Sequence, residues 1–341
     1  WMVKDVDYEV TGVGAVFVKK SVKPGILPLI LKSLLSARSD AKKLMNSAPT
    51  EELYQVYNAR QLALKISANS VYGFTGQSNG QLPCVEISSS VTCYGRDMIE
   101  LTQQVVEAEV CIANGYEHNA KVVYGDTDSV MVLSGLDNVA DSIVLGKKLA
   151  AIVTTKFPEP IKLEFEKVYY PWLLMSKKKY AGLFWTKADK WDKVDCKGIE
   201  SVRRDNCGLA RHAVKTCIDK ILIHRDIEGA LRVGKDLISD LLRNKVDLSL
   251  LIVTKSYSRD ADAYKVPQAH ITLAMKMKKR DPATAPAVGD RIPYVIVGGE
   301  KNAKMYQKAE DPLYVLEHGI PIDAQCYIDQ LIKPLTRIFT P

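Results

Sequence analysis

Two carboxylates stand two residues apart in Val122-Val123-Tyr124-Gly125-Asp126-Thr127-Asp128-Ser129-Val130-Met131-Val132. Apolar, β-branched runs flank a Gly-Asp-Thr-Asp turn, a pattern that predicts a hairpin. On a strand that stays extended, residues two apart project to the same side, which would bring the charges of Asp126 and Asp128 together. Like charges held that close repel, and a cation relieves the repulsion. Oxygen-only ligands on a tight turn suit Mg²⁺ or Mn²⁺, which bind through one or two carboxylates together with substrate phosphates. Two such ions spaced for in-line displacement perform phosphoryl and nucleotidyl transfer. The same residues also suit a polar hairpin tip that holds nothing.

A second group of reactive types lies upstream. In Lys65-Ile66-Ser67-Ala68-Asn69-Ser70-Val71-Tyr72-Gly73 a cation, an amide and an aromatic ring stand at i, i+4 and i+7, on one face of a helix. Such a row can grip a triphosphate and stack under a base pair. Arg38 and Lys42 are likewise i and i+4, and on a facing helix they would converge with Lys65 on one anion. A solvated charged face would look the same.

The elements that position these residues follow from pattern. Gly12, Gly14 and Pro24-Gly25 punctuate a short β-rich lead-in with a strand at Val16-Phe17-Val18. Apolar residues from Ile26 to Leu44 then keep helical spacing up to the breaker Asn46-Ser47-Ala48-Pro49. Thr50 is an N-cap, with Glu51 and Glu52 in the first turn, and a second helix runs to Gly73. So short a link predicts an antiparallel helical hairpin. Ser88-Ser89-Ser90 opens a helix with Val91, Tyr94, Met98, Leu101 and Val105 inward, ending near Asn114-Gly115. After the acidic hairpin come a helix around 140–157 and an alternating strand from Ile161 to Tyr170. Beyond about residue 203 the chain reads as mainly helical, with Pro/Gly-rich interruptions around 280–291.

Composition bounds the class. The 341 residues are 47% hydrophobic and 26% charged, as in a globular protein of roughly two domains. No apolar run reaches the ~18 residues of a membrane span, so no membrane partner is expected. The N-terminal residues have no signal-peptide core, and nothing points to secretion. Seven cysteines without a C-x-x-C pair argue against a disulfide framework or a zinc site, and for small buried hydrophobes in a reducing compartment. The net charge of +7 is uneven: Lys19–Lys65 carries nine Lys/Arg against three Asp/Glu, and Lys167–Arg211 eleven against five. Basic segments flanking an acidic turn fit a site that holds a polyanion beside metal ions, although solvated helix faces give the same counts.

Three motifs in order resemble the family B DNA polymerases: Lys65-x-x-x-Asn69-Ser70-x-Tyr72-Gly73, Tyr124-Gly125-Asp126-Thr127-Asp128-Ser129 and Ser176-Lys177-Lys178-Lys179-Tyr180. Arg60–Lys65, Cys196–Cys207, Lys279-Arg280-Asp281-Pro282 and Asp311–His318 resemble its eukaryotic replicative branch, and the likeness runs from about Phe17 to Phe339. It implies an α+β right-hand polymerase core fragment. A palm lead-in would occupy 1–25, helical-hairpin fingers 26–75, a partial antiparallel palm sheet 76–204 and a mainly helical thumb 205–341.

The implied reaction is DNA-directed DNA synthesis, in which a primer 3′-hydroxyl attacks the α-phosphate of a dNTP with two Mg²⁺ ions, or Mn²⁺ in their place. By the resemblance, Asp128 would bridge both metals and Asp126 would be an outer ligand. Glu166, with Glu164 near it on the same strand face, would edge the metal site. Arg38, Lys42, Lys65 and Asn69 would bind the triphosphate, with Tyr72 and Gly73 beneath the nascent base pair. Lys178 and Tyr180 would touch the primer-terminal region, while Lys197, Arg203 and Arg204 would hold primer phosphates. Lys179 stands where the family usually has arginine, and loses its planar fork.

The family's other catalytic aspartate, on a strand before the fingers, has no match before Phe17, where Asp5 and Asp7 lack its sequence context. The proofreading exonuclease and the C-terminal cysteine modules are not matched either. The resemblance therefore implies a fragment that is inactive alone and depends on the N-terminal and exonuclease regions of a parent chain. It also implies a nuclear location, with a sliding clamp and accessory subunits as partners. The alternatives are a non-catalytic primer-template-binding module and another family B branch, lesion-bypass or primase-associated.

Overall fold

The computed structural model describes residues 2–200, 206–299 and 303–340. It separates into two units, residues 1–136 with 149–163, and residues 137–148 with 164–341.

In the first unit, β1 (Tyr8–Val10) and β2 (Val16–Val18) pair antiparallel, with Tyr8 opposite Val18. Helix α1 (Ile26–Asn46) follows Pro24-Gly25. Pro28 is tolerated in its first turn, where the missing N–H would have no partner anyway. Thr50 caps α2 (Glu51–Gly76), its hydroxyl accepting from the Leu53 N–H at 3.3 Å. The two helices pack together as the short link requires. Gln61 is buried at their seam, accepting from Arg38 Nε at 3.4 Å and donating to Asn58 Oδ1 at 3.0 Å. Helix α2 continues past Gly73, because glycine weakens a helix without ending it.

Helix α3 (Val85–Glu109) starts before the three serines rather than at them. Inside the helix, Ser88 Oγ and Ser89 Oγ bond back to the Val85 carbonyl at 3.0 and 2.8 Å, so these hydroxyls do not cap it. The residues α3 buries are Ser90, Thr102 and Val106; Val91 and Tyr94 are exposed. Tyr94 instead donates its hydroxyl to Glu9 at 2.9 Å. The Asn114-Gly115 stop belongs to a separate 3₁₀ turn, Ile112–Asn114, closed by Gly115 at φ 86°. Strands β3 (Lys121–Asp126) and β4 (Ser129–Leu133) form the expected hairpin and pack on α3.

Helix α4 (Val139–Thr154) contributes its first part to the second unit and its last turns to the first. The alternating stretch from Ile161 does not pair as a strand until Val168. Thr154 takes the place of a ladder partner: its hydroxyl accepts from Leu163 N at 3.0 Å and lies 3.2 Å from Leu163 O. Alternation survives as burial, with Leu163 and Phe165 partly covered and Glu164 and Glu166 exposed.

The second unit carries an antiparallel sheet of β5 (Val168–Ser176), β6 (Lys179–Trp185) and β7 (Lys193–Lys197). The helices α5 (Gly208–Leu222), α6 (Ile227–Leu242) and α7 (Leu248–Leu251) follow. Strand β8 (Val253–Ser256), helix α8 (Ala269–Arg280), strands β9 (Arg291–Ile296) and β10 (Ala309–Glu310), and helices α9 (Pro312–His318) and α10 (Ala324–Phe339) complete it. The C-terminal region is therefore not simply helical: β10, β9 and β8 form a three-stranded sheet. Its strands are short and α8 separates β8 from β9, which hides them from periodicity. The core brings α5 and α10 together through Leu209, Val214, Ile218, Tyr327 and Leu331, all at most 1% exposed. Among the cysteines, only Cys207 and Cys217 are buried and the other five are half-buried, so the reading of most of them as buried hydrophobes is corrected. Among the described residues, no helix is long and apolar enough to cross a membrane.

Ion pairs at one buried and two half-buried carboxylates give this unit an acid limit. Glu310 is 6% exposed and accepts both Arg280 guanidinium nitrogens at 2.8 Å. Burial pushes its pKa up, but Arg280, the Asp311 N–H and Lys276 outweigh that and leave it below the ordinary carboxylate value. Glu200 and Asp323 are lowered in the same net sense by their lysine and arginine partners. A lowered carboxylate stabilises the fold above its unfolded pKa, about 4, and loses that contribution as pH falls through the folded value. The melting temperature should therefore hold from pH 7 to about pH 5 and fall steadily below it. An unchanged melt down to pH 3 would contradict these ion pairs.

Candidate active site

The acidic hairpin is tighter than an extended strand. Asp126 ends β3 opposite Ser129, so Thr127 and Asp128 form a two-residue loop. Such loops need positive φ at the first position to match strand twist, and Thr127 has φ 57°. A β-branched residue is costly there, by roughly 1–2 kcal/mol. The Asp128 N–H donates to the Asp126 carbonyl at 2.7 Å, Ser129 Oγ to the same carbonyl at 3.2 Å, and Thr127 Oγ1 to Asp126 Oδ1 at 3.1 Å. The expectation of two carboxylates on one extended strand is thus corrected: Asp126 sits half-buried at the strand end and Asp128 exposed in the turn. A register shift between Val122 and Tyr124 bends β3 just before the tip, and Glu107 on α3 anchors the strand by accepting from Val122 N at 3.0 Å. Glu107 went unnoticed in the sequence, where it is one more charge on a helix.

On the α1–α2 pair, Lys42, Lys65, Asn69, Tyr72 and Gly73 are exposed and Arg38 is half-buried. Because Arg38 meets Gln61 across the seam, the antiparallel register sets Lys42 one turn beyond that level and Lys65 one turn short of it. At 1.5 Å per residue the two lysines are spread along roughly 12 Å of the axis. The cations form a ladder rather than converging at one level, which suits an elongated polyanion better than a single anion. Lys42, Lys65 and Asn69 have no hydrogen bond or ion pair with the described residues, so their polar groups remain available.

A side chain added at Gly73 would meet no protein atom within 4 Å. Gly73→Ala should therefore raise the stability of the isolated chain by roughly 0.5–1 kcal/mol, the helix-propensity difference. Calorimetry checks this, and a destabilised Gly73→Ala chain would show a neighbour absent from the geometry.

In the second unit, Lys177 and Lys178 form the β5–β6 turn, with Lys178 at φ 63°. The Lys178 carbonyl lies so close to Gly198 that a Cβ there would sit 2.0 Å from it, and Gly198 has φ 63°. Only glycine lets the chain after β7 pass this turn. Lys178 is exposed, whereas Tyr180 is only 9% exposed, edge-on to Tyr169 and Trp172 at 5.9 and 5.8 Å. Lys179 turns inward to Glu200 at 2.7 Å, and Arg337 of α10 reaches the same carboxylate oxygen at 2.7 Å. Lys197 stands opposite Tyr180 and pairs with Asp195 at 3.4 Å.

Asp195 also accepts from the Tyr169 hydroxyl at 2.6 Å. Burial raises the Asp195 pKa, but Tyr169 and Lys197 together hold it below the ordinary value. The Tyr169 phenol is pushed well above its usual range by burial and by the Asp195 bond. Asp195 and Glu200 are thus positioning groups that the sequence reading missed. The alternating charges of Lys193-Val194-Asp195-Cys196-Lys197 were the available signal.

Glu164 and Glu166 lie on the irregular approach to β5, not on a strand face, and Glu166 pairs with Lys167 at 3.3 Å. Arg203 and Arg204 lie outside the described residues. Among the described residues, no group of three or more His, Cys, Asp or Glu is placed to hold a metal ion.

The two-carboxylate hairpin and the cationic helical pair belong to the first unit, and the lysine-rich strand turn to the second. The description "DNA polymerase family B" matches residues 3–341, and the chain belongs to that family. It is 58% identical over 329 residues, 96% of its length, to the DNA polymerase delta catalytic subunit of Glycine max. The polymerase delta catalytic subunit of Schizosaccharomyces pombe is 55% identical over 339 residues, 99% of the chain. The chain spans 30% and 31% of these two relatives. Among solved structures, the family B DNA polymerase of the hyperthermophilic archaeon Pyrobaculum calidifontis aligns with the whole chain at a TM-score of 0.66 and 26% identity, over 41% of its own length.

Proposed function

We propose that the chain is a core segment of a replicative, delta-type DNA-directed DNA polymerase acting in the nucleus. It binds primer–template DNA and dNTP, with a sliding clamp and accessory subunits as further partners. The observation that carries this reading is the strained tip that presents Asp126 and Asp128 in a chain of this family. Two oxygen-only carboxylates suit Mg²⁺, which takes one or two protein carboxylates and fills its shell with water and phosphate oxygens. Asp126 and Asp128 would hold it, and the ion would supply Lewis-acid activation and charge neutralisation.

The chain's own residues do the rest. Arg38, Lys42, Lys65 and Asn69 line up along the triphosphate and offset charge that grows as pyrophosphate leaves. Tyr72 and Gly73 bound the base-pair space. Lys178, Tyr180 and Lys197, with Arg203 and Arg204, contact the primer strand. Glu164 and Glu166 edge the metal site. In this assignment α1–α2 are the fingers, the sheet regions up to residue 204 the palm, and the remainder the thumb.

The polypeptide 1–341 should bind primer–template with a steep salt dependence but extend no primer with dNTP and Mg²⁺, since it offers two carboxylates where a metal pair needs more. The non-catalytic reading shares the binding and differs in the parent: appended to the family's preceding regions, a polymerase segment restores extension and a binding module does not. Failure of 1–341 to bind primer–template overturns both. Template-directed extension by pure 1–341 that Asp128→Ala abolishes overturns its inactivity alone.

A further inference from the structure

Strand β3 runs back along α3 from a corner that is tied twice. The Ala120 N–H donates to the Val110 carbonyl at 2.8 Å, and the Ile112 N–H to Asn119 Oδ1 at 2.9 Å. Val110 and Ala120 are 1% and 5% exposed, so the corner is buried. About one turn back on the helix and two residues on along the strand, Glu107 Oε1 accepts the Val122 N–H at 3.0 Å. Gln103, a turn further back, donates to the same oxygen at 3.3 Å and steadies the carboxylate.

The corner sets where β3 starts but not how it is phased against β4. That phase is decided at the register shift between Val122 and Tyr124, just ahead of the tip. Side chains on a strand alternate with a period of two, so a slip of one residue would turn Asp126 to the opposite face. A bulge re-aims the side chains beyond it, and Glu107 holds the backbone where this one begins. Nearer the tip the helix offers only loose packing: a Cβ added at Gly125 would still lie 3.7 Å from Ile99 Cγ2, so there is room for a further methyl group. Val122 and Asp126 are four residues apart, ~13 Å of extended strand, so Glu107 touches neither substrate nor metal.

We infer that Glu107 is a positioning residue for nucleotidyl transfer: through the Val122 N–H it fixes the register, and with it the direction in which the hairpin presents Asp126 and Asp128. This role rests on the metal binding proposed above for these two carboxylates. Residue 107 must offer an acceptor at the right reach; its negative charge is incidental.

The test sets Glu107→Gln, which keeps the reach and gives up the charge, beside Glu107→Asp, which keeps the charge and loses one methylene of reach. In the polypeptide 1–341, Mn²⁺ affinity followed by electron paramagnetic resonance should be close to wild type in Glu107→Gln. In Glu107→Asp it should be about 10-fold weaker, the lower end of the cost of releasing a group that orients metal ligands. The Val122 amide should exchange with solvent at least about 10-fold faster in Glu107→Asp, the factor that a hydrogen bond to a charged group contributes to an opening equilibrium. In a longer polypeptide of which this chain is the polymerase core, the single-turnover rate of Glu107→Asp should fall by about 10–100-fold. The half-saturating dNTP concentration should not change, because α1 and α2 are untouched. A purely structural loss would instead lower the fraction of active molecules and leave the rate of each one alone.

The reverse order, Glu107→Asp normal and Glu107→Gln impaired, would show that the charge matters and overturn the inference. Wild-type affinity, exchange and rate in Glu107→Asp would also overturn it, and if Asp128→Ala loses Mn²⁺ in the same series the hairpin's own role stands. If Asp128→Ala binds Mn²⁺ as the wild type does, that role fails and this one with it. A measurement on the wild-type chain needs no variant to fold: NMR coupling through the hydrogen bond between the Val122 nitrogen and the Glu107 carboxyl carbon should be present, and its absence overturns the inference.

Discussion

Asp128→Ala should reduce nucleotidyl transfer by at least about 10²–10³-fold in any longer polypeptide of which this chain is the polymerase core. Altering groups that merely orient metal ligands costs ~10–100-fold, and a ligand that would carry charge to both ions of an in-line displacement should cost more. Fold loss cannot account for such a result, because Asp128 is exposed and contributes only a backbone bond to Asp126 in the turn. Asp128→Ala should therefore melt within about 0.5 kcal/mol of wild type, as expected for a surface position. Asp126→Ala should lose less activity if it is the outer ligand and lose some stability, since its carboxylate accepts from Thr127 Oγ1. Single-turnover rates with Mg²⁺, set beside the melts, separate these effects. A normal rate in Asp128→Ala would remove the hairpin from the chemistry. The isolated chain gives a second test: Mn²⁺ affinity, followed by electron paramagnetic resonance, should fall in Asp128→Ala.

Local rules written in the chain made most of the first unit legible. Thr50 with two acidic residues behind it names a helix start, and the breaker at Asn46–Pro49 forces a hairpin. The acidic hairpin was legible as a hairpin, but its geometry was not. Positive φ at Thr127 arises from closing two strands with two residues, which spacing alone cannot show. The three serines misled because a hydroxyl that caps a helix start can also fold back within the helix, and only the upstream backbone decides. The stretch 161–167 failed for a related reason. Alternation reports which side chains are covered, not whether a neighbouring strand exists to pair with.

Residue types pointed to the site, and register then refined it. Lys42 and Lys65 read as converging because helical wheels show faces without axial position, and the Arg38–Gln61 contact supplies the missing coordinate. By resemblance, Lys179 stood in for the family's arginine and Lys197 held primer phosphates. In the fold, Lys179 shares the Glu200 carboxylate with Arg337, partners distant in sequence, and Lys197 pairs with Asp195 two residues before it on β7. These acids, Asp195 buried and Glu200 half-buried, arrange the strand that bears Tyr180, so part of the second unit's shape there is set by residues with no chemistry of their own.

Tyr327→Phe should destabilise the second unit by about 2–4 kcal/mol, although it removes one oxygen atom and leaves the ring in place. Tyr327 is fully buried on α10, and its hydroxyl joins two other segments. It accepts from the Ile296 N–H of β9 at 2.9 Å and donates to the Leu251 carbonyl at the end of α7 at 3.0 Å. The phenol pKa is raised by burial, with the Ile296 N–H opposing, so it stays protonated and keeps both roles throughout the neutral range. Phenylalanine fills nearly the same volume, and no large cavity term arises. What remains is a buried N–H and a buried C=O that lose a common partner, each at ~1–3 kcal/mol. Such a loss exceeds a typical surface substitution several-fold. It should appear as a lower denaturation midpoint at unchanged m-value, because the surface exposed on unfolding is the same. A Tyr327→Phe chain within 0.5 kcal/mol of wild type would mean that a water or another group takes over both bonds. Leu331→Ala, one helical turn further on α10 and fully buried, serves as the comparison. It should cost ~2–5 kcal/mol through cavity formation alone. Similar losses from the two variants would show that one well-placed hydroxyl contributes as much to this core as a full leucine side chain.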